Sequence, residues 1–340
     1  MKKSQKLVFG GLAVMLIGTY FMGPQAPKPE LDPKITSLPA MTPGQVEASV
    51  RKAEESVPNI RPNNEAEIVW ANDSLKQKTP WAVVYLHGFS ASRYEGMPTH
   101  RDFAKRYGLN MYLARLDAHG LQSENPLLEM SPEGMVNSAK RAISIGKQLG
   151  EKVLVMSTST GGTLGLYLAA NNPEMIDALV CYSPNVDIAD PTSKMLTKPW
   201  GLEMAKLVMG SDFRDTGGTK EEGKYWDNKY RVEALVALRS LMDATMTKST
   251  FEAITQPTFV GYYYKDKDHQ DETVSVASIL KMYEELGTPE GLKVKQAFPE
   301  AGDHVIAGQT FSKDVKGVEQ ATFKFAEEVL KMKPISEQAS

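Results

Sequence analysis

From about residue 65 onward, short apolar runs alternate with helical stripes. "WAVVYLHG" reads as a buried strand entering a turn, "MPTHRDFAKRYG" as a helix closed by Gly108, and "NMYLARLDAHG" as a second strand. "SPEGMVNSAKRAISIGKQLG" follows as a helix, with Ser131 as N-cap, Pro132 in the first turn and a stop at Gly150. The rhythm continues through "KVLVMS", "TLGLYLAANN", "DALVCYS", "PTFVGYYY", "VASILKMYEELG", "LKVKQAF" and "ATFKFAEEVLKM". Strands alternating with helices predict an α/β fold, a mostly parallel sheet flanked by helices on both faces. Between Asn185 and about Gln256 the rhythm breaks into helical pieces such as "GLEMAKLVMG" and "VEALVALRSLMDATM". These hold Met195, Met204, Met209, Met242, Met246, Trp200 and Trp226, and read as an insertion over one end of the sheet.

The N-terminus differs in kind. Basic "MKKSQK" precedes "LVFGGLAVMLIGTYFMG", an apolar run near the lower limit for a membrane-spanning helix and long for a signal-peptide core. Pro27 after Ala26 spoils a small-x-small cleavage site, which favours an uncleaved anchor over a cleaved signal. With Lys2, Lys3 and Lys6 on the cytoplasmic side, the body would be extracytoplasmic, or secreted if the segment is removed. The chain thus divides into a membrane segment (1–23), a proline-rich linker and lead-in (24–64), a first core part (65–185), a helical cap (186–256) and a second core part (257–335).

Composition narrows the chemistry. Lys and Arg number 39 against 42 Asp and Glu, a net charge of −3, so nothing points to nucleic acid. The single cysteine, Cys181, excludes an intramolecular disulfide and a cysteine-built metal site; the five histidines contain no His-x-x-x-His pair, and no metal is expected.

In "VLVMSTSTGGTLGLYLAA" a strand over Val153 to Met156 runs straight into a helix. Such a turn pushes its central residue into the open and needs small flanks, because strand and helix approach closely. Ser159 is that residue, flanked by Ser157, where glycine is usual, and by Gly161. A hydrolytic serine needs donors for its oxyanion, and the tight turn that Gly88 allows in "LHGFSAS" nominates the N–H groups of Phe89 and Thr160. His87 in that loop reads as structural. His304, in "FPEAGDHVIAG" after the last apolar strand, is best placed as general base; His100 and His119 read as surface or supporting residues. For the acid, "KDKDHQDETVS" offers Asp266, Asp268 and Asp271, with Asp271, just ahead of a helix, preferred.

With these residues the chain resembles the α/β-hydrolase superfamily, in particular the lysophospholipase and monoacylglycerol lipase-like carboxylesterases with a helical cap. The resemblance spans about residues 65 to 333 and rests on "LHGFSAS", "MSTSTGG", "KDHQDETVS" and "AGDHVI", in the order nucleophile, acid, histidine. It implies an eight-stranded, mostly parallel sheet, a Ser–His–Asp triad, no cofactor, and a cap inserted after the sixth strand. Haloalkane dehalogenases and epoxide hydrolases of the superfamily carry aspartate at the elbow, and Ser159 argues against both. The expected activity is hydrolysis of carboxylic esters, of acyl glycerol, lysophospholipid or similar lipid type. The alternatives are a non-catalytic membrane-tethered binding protein of the same fold, or an acyltransferase or peptidase using the same triad. The methionines of the cap suit an apolar acyl chain, or else form the cap's own core.

Overall fold

A computed structural model describes residues 18–335. Its centre is a seven-stranded sheet of β1 (Glu67–Val69), β2 (Thr79–Leu86), β3 (Asn110–Leu113), β4 (Gly150–Thr158), β5 (Ala178–Tyr182), β8 (Thr258–Tyr262) and β9 (Lys293–Ala297). The spatial order is β1-β3-β2-β4-β5-β8-β9, and only β1 runs antiparallel. β2 shows why both faces need cover: Ala82, Val84 and Leu86 enter one buried cluster, Val83 and Tyr85 the other. On the first face lie α3 (Pro132–Leu149), α4 (Thr160–Asn171) and α8 (Val276–Glu285), and on the second α2 (Thr99–Tyr107) and α9 (Val315–Glu328). The local signals act as read: Ser131 accepts the Gly134 amide at 3.0 Å, and Gly108 ends α2 at φ 64°.

Two expectations need correction. Among the described residues the sheet has seven strands, not eight, and the cap follows its fifth strand rather than its sixth. Among the described residues ahead of β1 there is no strand: the chain there forms α1 (Pro43–Glu55) and turns. Thr42 caps α1 in a full capping box with Gln45, and Pro43 sits in its first turn. The proline-rich stretch has no regular secondary structure over 24–42 and is fastened to the body. Asp32 meets Lys140 at 2.7 Å, the Ile35 amide donates to Asn172 Oδ1 at 2.9 Å, and the Met41 amide to Gln148 Oε1 at 3.0 Å.

Residues 1–17, which hold the basic flank and most of the apolar N-terminal run, lie outside the described residues. Among those described, no helix is long and apolar enough to cross a membrane. Between β5 and β8 the chain forms α5 (Gly201–Met209), a hairpin of β6 (Phe213–Asp215) and β7 (Lys229–Arg231), α6 (Val232–Thr245) and α7 (Lys248–Glu252). The hairpin went unread in the sequence, its three-residue strands being too short to show alternation.

Candidate active site

β4 ends at Thr158 and α4 starts at Thr160, which leaves Ser159 between them at φ 53° and ψ −120°. A non-glycine residue keeps such a conformation only where its surroundings fix it. Here the Ser159 amide donates to Tyr182 O at 3.0 Å, and its carbonyl accepts from Gly162 at 2.8 Å and Asn185 at 3.0 Å. Smallness is demanded most at Gly161, where an added Cβ would lie 2.0 Å from Leu86 O. Ser157 is fully buried and fits, its hydroxyl donating to Val180 O at 3.3 Å. The unusual serine of the elbow therefore has a partner of its own.

His304 follows β9 in a loop and places Nδ1 2.6 Å from Asp271 Oδ2. The other oxygen of Asp271 accepts the amides of Thr273 at 2.9 Å and Val274 at 3.0 Å, which fixes the carboxylate. Burial pushes the Asp271 carboxyl up, but His304 and the two amides together hold it below the usual range. Burial opposes a charged His304, yet Asp271, with Glu95 and Asp303 further off, raises its pKa. With Nδ1 turned to Asp271, the buried Nε2 has no hydrogen-bond partner among the described residues. Neither Asp266 nor Asp268 pairs with His304, although Asp268 lines the cavity that Ser159 and His304 share. A bridge between Tyr264 and Gln270 folds the tip of the loop outward, where Asp266 bonds His269 at 2.8 Å and Asp268 is exposed.

Ser159 and His304 line one cavity of about 1250 Å³, together with Phe89 and Glu95 from the core. From the cap come Leu196, Met204, Val208, Met209, Leu235 and Leu238. The two readings of the methionines divide: Met195, Met204 and Met209 line the cavity, whereas Met242 is buried in the core and Met246 packs against it. Trp226 also faces the cavity. Trp200 instead meets the N-terminal chain, its amide donating to Pro24 O at 2.8 Å.

The Phe89 and Thr160 amides donate no hydrogen bond among the described residues, and Thr160 opens α4, where the helix dipole adds positive potential. Two buried histidines brace this loop as neutral rings. His87 Nδ1 donates to Gly88 O at 2.8 Å and its Nε2 accepts from Leu116 N–H at 3.1 Å. His119 Nδ1 donates to Asp117 O at 2.6 Å and its Nε2 accepts from Ser90 N–H at 3.0 Å. Burial pushes His119 down to about 4 and His87 well below its ordinary value. His100 is likewise buried, not at the surface, and bonds Arg93 O at 2.9 Å. Among the described residues no cluster of His, Cys, Asp or Glu could hold a metal ion.

Sequence reasoning missed Glu95. It is buried beside the site, and its Oε2 accepts the Gly88 amide at 2.7 Å. In "SRYEG" nothing local distinguishes it from a solvated turn residue.

This architecture is the α/β-hydrolase fold, shared with lipases and esterases of that superfamily. No family model matches the chain. In sequence it is similar to a thermostable monoacylglycerol lipase of Bacillus sp. (strain H-257), 29% identical over 192 residues, which cover 56% of this chain and 71% of that protein. In structure it is similar to one of the metagenome-derived lipolytic enzymes LipS and LipT, at a TM-score of 0.60 and 16% identity over 78% of this chain and 98% of that one. A monoacylglycerol lipase of Paleococcus ferrophilus gives 0.54 at 16% identity, covering 77% and 98%. A monoglyceride lipase of Saccharomyces cerevisiae bound to a substrate analogue gives 0.57 at 12%, covering 78% and 92%. At these identities the structural likeness speaks for the fold alone.

Proposed function

We propose that the protein is a serine hydrolase of carboxylic esters, with Ser159 as nucleophile, His304 as general base and Asp271 as the acid that orients it. The observation that carries this reading is the 2.6 Å Asp271–His304 bond, which leaves a buried, unpartnered Nε2 in the cavity that Ser159 also lines. Ser159 Oγ attacks the ester carbonyl carbon while its proton passes to His304 Nε2. The Phe89 and Thr160 amides hold the oxyanion. On collapse the C–O bond breaks and the alcohol leaves with the proton from His304. Water then attacks the acyl-enzyme, gives a proton to Nε2 and releases the acid, and Ser159 regains its proton.

Lipid-like esters suit the site best, acyl glycerols or lysophospholipids among them. The apolar cap lining supports this, as does the likeness to a protein described as a monoacylglycerol lipase. Residues 1–23 would hold the body to a membrane on its extracytoplasmic side. The basic flank and apolar run support this, and Pro24 meets the cap at Trp200, next to α5 with Leu207 and Val208 81% and 84% exposed. Cell fractionation of the native protein tests the anchor, which a wholly soluble product would refute.

The deciding experiment is fluorophosphonate labelling of the wild type beside Ser159→Ala, followed by p-nitrophenyl esters of increasing chain length. Labelling lost with Ser159 and turnover of medium or long chains are expected. A well-folded protein that takes no label would be a binding protein on this fold, and turnover of short chains alone would remove the lipid assignment.

A further inference from the structure

Glu95 lies on the short turn Arg93–Gly96 between β2 and α2, with 3% of its surface exposed. Beside the Gly88 amide, its Oε2 accepts the Tyr85 hydroxyl at 3.3 Å, and that hydroxyl shares a hydrogen bond with Thr158 Oγ1 at 3.0 Å. A single carboxylate oxygen therefore ties the residue before Phe89 and, through Tyr85, the residue before Ser159. Both walls of the candidate oxyanion hole meet on it. Its other oxygen sits on the Ser159 side of the loop: a Cβ built on Gly88 would lie 2.8 Å from Glu95 Oε1 and 3.1 Å from Ser159 Cβ.

The same turn also carries the loop of His304. Thr99 Oγ1 donates to Ala307 O at 2.7 Å, the Gln309 amide donates to Met97 O at 2.7 Å, and a Cβ on Gly308 would lie 2.2 Å from Glu95 O. The titratable groups acting on Glu95 are Tyr85 from β2 and His304, and His304 is in turn faced by Asp271 and Asp303. No lysine or arginine pairs with Glu95 among the described residues. Burial pushes its carboxyl up to about 7, against the Gly88 amide, His304 and Tyr85. A proton on Glu95 removes the negative charge that favours the imidazolium of His304.

We propose that Glu95 is a positioning residue of the ester-hydrolysing site, clamping the oxyanion loop to the elbow through Oε2 and setting through its charge the pH at which His304 becomes a free base. This rests on the serine-hydrolase reading above. A negative Glu95 favours the imidazolium, so removing the charge frees the base at lower pH.

The test compares wild type, Glu95→Gln and Glu95→Leu in full-length protein, reading kcat and KM against pH with p-nitrophenyl butyrate and folding by thermal melt. Glutamine keeps an acceptor for the Gly88 amide but no charge. It is expected to lower the plateau about 3-fold and move the acid limb of kcat/KM down by about 0.5 to 1 unit. Leucine removes the acceptor and is expected to lower kcat about 100-fold at every pH, with KM changed far less. An acid limb that Glu95→Gln leaves in place would overturn the electrostatic role, and a leucine variant as active as the glutamine variant would overturn the clamp. Should Glu95→Leu fail to fold, the Glu95→Gln limb decides alone. Absence of label at Ser159 in the wild type would instead mark failure of the serine-hydrolase reading, and the proposal would fall with it.

Discussion

Asp271 binds two backbone amides with one oxygen and His304 with the other, so its position is set by the chain and the ring's position is set by it. Replacing the carboxylate by an amide keeps the shape but lets the ring take the wrong tautomer. Asp271→Asn should therefore lower kcat by about 10⁴-fold with little change in melting temperature. Asp266→Asn, on the exposed tip, should stay within about 2-fold of wild type, because exposed charges contribute little. Steady-state kinetics on the two variants checks both, and a reversed pattern would move the acid to Asp266. The same pair fixes a pH dependence. His304 must be unprotonated to act, and Asp271 favours its protonated form, so kcat/KM should fall with decreasing pH at a midpoint above the ordinary histidine value of about 6.5. An acid limb centred below that value would show that burial, not Asp271, governs the ring.

At the scale of elements, the β4–α4 junction has the least room. An added Cβ at Gly161 meets a main-chain oxygen that cannot turn aside. Gly161→Ala should cost about 3 kcal/mol or more in urea unfolding, at the upper end for overpacked sites. Ser157→Gly, by contrast, gives up one buried hydroxyl bond to Val180 O and should cost about 1 kcal/mol or somewhat more, glycine adding its own backbone entropy. Equal costs at both positions would contradict this account of the elbow. The difference also shows what the sequence could reveal. The turn was legible at Ser159 because a buried strand, small flanks and a helix follow one another within a dozen residues. Elements with longer signals, α3 above all, were legible from cap to stop. α1 was passed over although Thr42, Pro43 and Gln45 carry a complete N-terminal signature, because the prolines around it suggested a linker. The acid stayed open among three carboxylates, since only the Tyr264–Gln270 bridge decides which of them points inward. Glu95 was invisible, because its burial comes from Gly88 and the His304 loop, both remote from its local pattern.

For the molecule as a whole, the nucleophile's helix is held at both ends by chain from elsewhere. Its N-terminus is gripped by Tyr182 and Asn185 around Ser159. Its C-cap, Asn172, is fully buried and is satisfied from outside by the N-terminal strap: Oδ1 accepts the Ile35 amide at 2.9 Å, and Nδ2 donates to Pro33 O at 2.8 Å. Removing residues 1–23 leaves all of these bonds in place and should shift the melting temperature by no more than about 1 °C, a fraction of a kcal/mol. Removing residues 1–41 strips Asn172 of both strap partners, leaving Nδ2 only its bond to Leu168 O at 2.9 Å, and uncovers the site where Ile35 packs. Loss of the partner of Oδ1 costs about 1–3 kcal/mol and a lost isoleucine contact about as much again. The expected drop is thus roughly 5 °C in the melting temperature of this 340-residue chain. Because the strap braces the far end of α4, labelling at Ser159 should slow together with the loss of stability. A chain lacking residues 1–41 that melts and labels like the intact protein would mean that α4 holds its position without the strap.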